Sequence, residues 1–187
     1  MKTLLCLLSL LCVPAFAAEV AGVKIDDKTR VGSTELALNG AGLRKRVFFQ
    51  VYTLGLYLPK KTASAAEAIG QDGPKRASIH MLRDVGAAQF TDALADGIRD
   101  NHSEAEATAL APRIQALAAI MAEVKEAKKG MTITLDWTGS ATQLGIDGRA
   151  AGKPIEGADF YRALLRIWLG DRPVQDDLKK ALLGGAQ

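Results

Sequence analysis

Residues 47–58 (VFFQVYTLGLYL) form a run of apolar, β-branched and aromatic side chains, a composition typical of β-strands. Alternate positions place apolar side chains on both faces of the run, which is the pattern of a strand covered on both sides. Gly55 interrupts the run, and a glycine within a strand marks a bulge or a close approach of another group. We therefore predict one long strand or two consecutive strands, opened by a glycine-rich turn at residues 40–42 and stopped at Pro59.

Shorter segments with alternating apolar and polar residues predict further strands. They lie at residues 19–25, 34–38, 77–82, 131–137, 142–146 and 153–155. Asp147 and Gly148, between the last two segments, form a dipeptide typical of tight hairpin turns. The last segment contains Pro154, which favours an edge strand because proline cannot donate a hydrogen bond to a sheet.

In the remaining segments, apolar residues recur with the period of an α-helix. Helices are predicted at residues 63–69, from Gln89 onward, after Ser103, at residues 160–168 and from Pro173 onward. Ser103 and Glu106 have the spacing of a capping box, which marks a helix start. Pro112 lies inside the apolar stripe of that helix, where a proline costs about 3 kcal/mol. We expect a kink there, or a break after Leu110.

The order of these elements predicts an α+β fold, with a large and mostly antiparallel sheet packed by a layer of helices. Strands and helices do not alternate as they do in parallel α/β proteins. No repeat, low-complexity segment or linker divides the chain. Residues 18–187 are therefore predicted to form a single domain, since their number suits one domain.

Residues 1–17 have the pattern of a secretory signal peptide. Lys2 precedes an apolar run at residues 4–13, and small residues suit cleavage before Ala18. The run is shorter than the roughly 20 apolar residues that a membrane span requires. We therefore expect a periplasmic or secreted protein with no integral membrane segment after processing.

Composition and charge argue against several classes of function. The formal net charge is +3 and basic and acidic residues are interspersed, so no nucleic-acid partner is expected. Both cysteines lie within residues 1–17, and His80 and His102 are far apart in the sequence, so no metal site is predicted. Residues 40–42 lack the third glycine of a dinucleotide fingerprint and precede a strand instead of a helix. No cofactor is predicted.

Arg44 stands at the mouth of the doubly apolar run, which also contains the phenols of Tyr52 and Tyr57. One interpretation is that Arg44 belongs to a solvated polar turn. The other is that it points inward, where its planar guanidinium could bind a carboxylate or phenolate at two points. An apolar pocket with one or two fixed polar groups is the usual form of a small-molecule site.

Two motifs carry a resemblance to a known family. Residues 39–44 (NGAGLR) followed by 51–58 (VYTLGLYL) resemble the opening signature of the chalcone isomerase fold family. Residues 160–174 (FYRALLRIWLGDRPV) with 178–184 (LKKALLG) are similar to the end of the exported bacterial chalcone isomerase-like proteins. The resemblance covers essentially all of residues 18–187 and implies an antiparallel sheet and helices that enclose an apolar cleft.

The resemblance also implies site residues. Arg44 matches the arginine with which the plant isomerases and the related fatty-acid-binding proteins hold an anionic group of the ligand. Tyr52 falls where the isomerases place a catalytic threonine. Phe90, Ala93 and Gly97 fall where they carry a tyrosine, a lysine and an asparagine. The predicted ligand-binding residues are therefore Arg44, Tyr52 and Phe90, while most catalytic positions are substituted.

Three functions remain open at this stage. The first, which we expect, is an exported, non-catalytic binder of an amphipathic anion such as a fatty acid. The second is an isomerase or intramolecular lyase acting on a chalcone-like or other phenolic compound. The third is a structural or accessory partner in the cell envelope, with its cleft filled by its own side chains.

Overall fold

In the computed structural model, which describes residues 18–185, residues 49–58 of the apolar run form one arm of a long hairpin. The strands are β1 (Ala18–Val20), β2 (Val23–Ile25), β3 (Lys28–Val31), β4 (Thr34–Arg46), β5 (Phe49–Leu58), β6 (Lys75–Met81), β7 (Val85–Gly86), β8 (Glu126–Ala127), β9 (Thr132–Trp137), β10 (Ala141–Ile146) and β11 (Arg149–Glu156). The helices are α1 (Ala65–Gly70), α2 (Ala87–Asp100), α3 (Glu104–Val124), α4 (Ala158–Leu169) and α5 (Asp176–Leu182).

Seven of these strands form one antiparallel sheet in the order β11-β10-β9-β6-β5-β4-β3, and the pairs β1–β2 and β7–β8 lie apart from it. The α+β prediction is confirmed. Between residues 18 and 185, no helix is long and apolar enough to cross a membrane. The predicted signal peptide lies outside the described residues.

Residues 53–58 of β5 are covered on both faces, as the sequence pattern predicts. Leu54 and Leu56 belong to the main core, which the sheet shares with α2, α3 and α4. On the other face, Tyr57 packs with Ile25 of β2 and Leu38 of β4. A Cβ placed on Gly55 would lie 3.2 Å from Ile25 Cγ2. This glycine therefore permits the predicted close approach of another group.

The predicted glycine-rich turn is wrong. Residues 40–42 lie in the middle of β4, which runs for 13 residues up to Arg46. A Cβ on Gly40 would lie 2.7 Å from the carbonyl oxygen of Leu182. The glycine is needed here because the backbone of α5 packs directly on the strand.

The actual turn is a two-residue loop formed by Val47 and Phe48, between the paired residues Arg46 and Phe49. Val47 has a φ of 55°, a left-handed conformation that β-branched residues rarely adopt. Such loops usually carry glycine, asparagine or aspartate. Residues 47–49 are called the hairpin tip below.

Asn39 forms a bulge in β4, since Leu38 pairs with Tyr57 and Gly40 with Leu56. Its side-chain Nδ2 donates hydrogen bonds to the carbonyl oxygens of Thr62 at 3.0 Å and Leu182 at 2.6 Å. Its Oδ1 accepts one from the Thr62 amide at 2.7 Å. One buried side chain therefore joins β4 to the loop after β5 and to the end of α5.

The predicted break at Pro112 is also wrong, because α3 continues through it from Glu104 to Val124. Pro112 and Thr108, whose carbonyl oxygen loses its helical partner, are both exposed. Water can therefore satisfy that carbonyl group. The capping box of Ser103 and Glu106 is present, as predicted.

Smaller differences concern the two ends of the described chain. The segment at 19–25 is a hairpin of β1 and β2, and β3 follows it where no strand was predicted. The last helix begins at Asp176 instead of Pro173. In contrast, the Asp147-Gly148 turn between β10 and the edge strand β11 is present, with φ values of 47° and 77°.

Candidate ligand-binding site

A cleft of about 560 Å³ lies between the hairpin end of β4 and β5, the end of β6, and helices α2 and α4. This volume suits a small organic ligand. The apolar lining comprises Val47, Phe49, Val51, Tyr52, Ile79, Met81, Val85, Phe90, Ala93, Leu94, Ile167, Trp168 and Val174. The charged lining comprises Arg44, Arg46, Arg83, Asp96, Asp100 and Arg172.

The three predicted ligand-binding residues, Arg44, Tyr52 and Phe90, all line this one cleft. Arg44 and Tyr52 are direct partners on the antiparallel strands β4 and β5. Such partners project from the same face of a sheet. Phe90 faces them from the first turns of α2 and is buried.

Arg44 is half-buried, and no carboxylate between residues 18 and 185 forms an ion pair with it. Its Nη1 donates to the carbonyl oxygen of Lys45 and lies 3.4 Å from Gln175 Oε1. Gln175 itself is held by the β4 backbone, since its Oε1 accepts from the Lys45 amide at 2.8 Å. The positive charge of Arg44 is therefore available to an anion in the cleft.

Tyr52 accepts a hydrogen bond from Trp168 Nε1 at 2.9 Å. Burial raises the pKa of the Tyr52 phenol, while the Trp168 hydrogen bond and the Arg44 charge act in the opposite direction. The phenol thus keeps its proton at neutral pH. Within residues 18–185 its O–H finds no acceptor, so it can donate to a ligand.

The three positions that the family resemblance matches to catalytic residues of the isomerases form one wall of the cleft. Phe90, Ala93 and Gly97 all lie on α2 and all line it. None of their side chains can transfer a proton or donate a hydrogen bond. Gly97 also sets the position of this wall, because a Cβ there would lie 2.8 Å from Ile167 Cγ2 on α4.

Tyr57, in contrast, lies outside the cleft. It occupies the opposite face of β5, where its hydroxyl donates to the carbonyl oxygen of Asp26 at 2.9 Å. Burial, with a smaller contribution from the charge of Asp26, raises the pKa of Tyr57 to about 12. Its phenol is structural.

Sequence reasoning missed Trp168, which was assigned only to the apolar stripe of a helix. A buried indole N–H generally requires an acceptor, and this rule is a signal that could have drawn attention to Trp168. Sequence reasoning also missed Arg83, which lines the cleft. The Arg83 guanidinium lies 4.7 Å from the centre of the Phe49 ring. No sequence pattern marks that contact.

A larger depression of about 1120 Å³ lies elsewhere, between α1, the end of α2 and the end of α4. Its cationic and histidine lining comprises Arg99, His102, Arg162, Arg166, Arg172 and Lys179. Most of its lining residues are charged or polar, whereas an amphipathic ligand requires apolar walls. In the part of the chain that the structure describes, no group of three or more potential metal ligands occurs.

Comparisons with known proteins agree with this architecture. The sequence model of the chalcone isomerase-like family matches residues 17–184. The chain belongs to this family. A solved fatty-acid binding protein of Arabidopsis thaliana has a similar structure, with a TM-score of 0.67, 15% identity, and coverage of 87% of this chain and 92% of that chain. This likeness confirms the predicted fold. No curated protein matches the chain.

Proposed function

We propose that the protein is a non-catalytic binder of an amphipathic anion such as a fatty acid. One observation carries the proposal: Arg44, a cation without a carboxylate partner among the described residues, and Tyr52 line the same apolar cleft as direct partners on β4 and β5. A carboxylate can accept hydrogen bonds from both groups. The acyl chain then lies along the apolar walls formed by the sheet and α2.

The two parts of the ligand contribute differently to binding. Each buried methylene contributes about 0.8 kcal/mol, so the acyl chain supplies most of the affinity. Arg44 and Tyr52 fix the direction in which the ligand lies. The fatty-acid binding protein with the same fold supports this assignment.

Isomerase activity has less support. The wall formed by Phe90, Ala93 and Gly97 offers no group for acid–base chemistry or for polarising a ketone. An absorbance assay with a hydroxylated chalcone tests this alternative directly. Turnover that depends on the protein and is abolished by Arg44→Ala would favour the isomerase over the binder.

We also propose that the protein acts in the periplasm or outside the cell. The proposal rests on the signal-peptide pattern of residues 1–17. Intact-mass analysis of protein from the envelope fraction should give a chain that begins near Ala18. Retention of Cys6 and Cys12 would contradict export with cleavage.

The binding experiment compares palmitate with hexadecanol on wild type, Arg44→Ala and Arg44→Lys. Loss of a charge-assisted hydrogen bond costs about 1.5–3 kcal/mol, so Arg44→Ala should weaken palmitate binding by that amount. Arg44→Lys should recover only part of it, since an ammonium group lacks the planar fork. Hexadecanol binding should change little in either variant.

Melting temperatures distinguish this role from a structural one. Arg44 makes no ion pair within residues 18–185, so its removal leaves no buried carboxylate uncompensated. Arg44→Ala should therefore melt close to wild type. If it melts far lower and binds palmitate as wild type does, Arg44 is structural and the proposal fails.

A further inference from the structure

The hairpin tip exposes three large apolar side chains in consecutive positions. Val47 is 79% exposed, Phe48 94% and Phe49 59%, and no other large apolar residue in the part of the chain described is exposed. Phe48 contacts solvent over almost its whole surface. Turns normally carry small or polar residues, and burying these side chains would be favourable by the hydrophobic effect.

Basic residues flank the hairpin tip. Lys45 and Arg46 precede it and are exposed. The exposed Arg83, on the segment after β6, places its guanidinium over the Phe49 ring. The acidic residue next to Arg83, Asp84, accepts a hydrogen bond from the Lys129 amide. Exposed apolar side chains surrounded by cations complement an anionic bilayer, which offers an apolar interior beneath negatively charged headgroups.

We propose that the hairpin tip docks the protein on an anionic phospholipid bilayer, with Phe48 inserted between the lipids and Lys45, Arg46 and Arg83 at the headgroups. Aromatic and apolar side chains enter the interface while cations remain with the phosphates. The turn, in which Val47 has a left-handed φ of 55°, leaves the Phe48 side chain in solvent instead of burying it.

A protein partner fits the hairpin tip less well. A stable protein interface needs about 800 Å² on each partner, and three side chains at a hairpin tip supply only a fraction of that area. A bilayer imposes no such requirement, because apolar insertion and electrostatic attraction add together. The partner is therefore a lipid surface.

The hairpin tip and the cleft are continuous, because Val47 and Phe49 both line the cleft. Docking would therefore bring the mouth of the cleft to the bilayer, where fatty acids are most concentrated. This transfer step rests on the proposed function, whereas the docking step does not. The two can be tested separately because Phe48 does not line the cleft.

The experiment measures co-sedimentation with vesicles of phosphatidylglycerol and phosphatidylethanolamine, and with vesicles of phosphatidylcholine alone. Wild type should bind the anionic vesicles, and salt should weaken the binding by screening. Phe48→Ser should reduce the partition coefficient at least about tenfold, since it removes the inserted ring. Phe48→Trp should keep binding and show a blue shift of its emission on the vesicles.

Charge is tested with a matched pair of reversals. Each Lys or Arg near an anionic surface contributes about fivefold, so Lys45→Glu should reduce binding to anionic vesicles by more than about tenfold. Lys60→Glu is the control, because Lys60 is exposed beyond the opposite end of β5. It should bind as wild type does.

Failure of docking and failure of ligand binding give different results. Phe48→Ser should lose vesicle binding and keep its palmitate affinity in solution. Arg44→Ala should lose palmitate affinity and keep vesicle binding. The proposal is overturned if wild type does not sediment with anionic vesicles, or if Phe48→Ser sediments as wild type does. It is also overturned if wild type self-associates and Phe48→Ser is monomeric, which would assign the hairpin tip to a protein interface.

Discussion

Trp168 donates a hydrogen bond from its indole Nε1 to the hydroxyl oxygen of Tyr52 at 2.9 Å, across 116 positions of sequence. The contact joins α4 to β5, and both residues line the cleft. Because the indole can only donate, the phenol accepts from it and its own proton is free to point elsewhere. The Trp168 hydrogen bond thus leaves the Tyr52 proton free to be donated to the ligand of the proposed function.

Trp168→Phe should remove this hydrogen bond. The unfolding free energy should fall by about 2 kcal/mol, from the lost hydrogen bond and the cavity left by the smaller ring. Palmitate affinity should fall about fivefold, since one neutral hydrogen bond contributes about 1 kcal/mol. Denaturant unfolding and palmitate titration measure the two effects.

The control is Trp137→Phe, at the only other tryptophan of the chain. Trp137 packs against Tyr161, with ring centres 5.9 Å apart, and does not line the cleft. Its replacement should leave palmitate affinity unchanged. In that variant the remaining Trp168 should change its fluorescence when palmitate binds, and a silent Trp168 would contradict its place at the site.

All three tyrosines of the chain, Tyr52, Tyr57 and Tyr161, have pKa values raised chiefly by burial. Each of these phenols has a higher pKa in the folded protein than in the unfolded chain. Its contribution to stability is therefore complete at any pH below the unfolded-state pKa. That stability is lost as pH rises through the folded pKa. For Tyr57 this loss of stability falls between pH 10.0 and about pH 12.

Tyrosinate absorbance followed with pH tests this, beside circular dichroism. The native protein should show little tyrosinate at about pH 10.5, above the ordinary phenol pKa of about 10. Absorbance should rise together with the loss of structure. A gradual titration centred near pH 10, with the dichroism intact, would contradict the burial of these phenols.

Ala93→Leu should shorten the chain length that the cleft accepts. Ala93 is exposed on the cleft wall of α2, and leucine is a good helix former, so stability should change by less than about 0.5 kcal/mol. Each methylene that no longer fits costs about 1–3 kcal/mol. Titration with fatty acids of increasing length should show the loss only for the longer acids.

The matched control is Ala88→Leu, because Ala88 is exposed on the same helix but does not line the cleft. Its preference for chain length should equal that of wild type. Equal losses in both variants would place the acyl chain elsewhere on the protein.

Val47→Gly should stabilise the fold. The left-handed conformation costs a residue with a Cβ about 1–2 kcal/mol, whereas glycine loses about 0.5–1 kcal/mol of backbone entropy. The expected net gain is about 0.5–1 kcal/mol in denaturant unfolding. Val47→Ala keeps the Cβ and should show no gain. If both variants lose stability, the strain at Val47 is absent.

The sequence predicts the strands and helices of the sheet and core well, because their periodicity reports which face is buried. It fails at β4, where the glycines at 40–42 resemble a turn. Gly40 is needed instead because the backbone of α5 packs directly on it, a contact that no local sequence pattern records. The actual turn is formed by Val47 and Phe48. Because neither residue is typical of turns, the sequence pattern predicts a strand there.

The candidate site, like the fold, was predicted only in part from the sequence. Arg44, Tyr52 and Phe90 are predicted from a family resemblance, and the structure brings them to one cleft. Their role as ligand contacts stays a prediction. Trp168 and Arg83 are missed because each acts through a partner distant in sequence, Tyr52 in one case and Phe49 in the other.

The hydrogen bond between Asn39 and the carbonyl oxygen of Leu182 spans 143 positions, and this separation bears on the order of folding. Contacts between distant residues form late because the loop that joins them must close first. Because Asn39 and Gly40 contact the end of α5, this part of β4 can be covered only after α5 has packed on it. A chain that stops before Asp176 should therefore lose hydrogen-exchange protection in β4, far from the truncation in sequence.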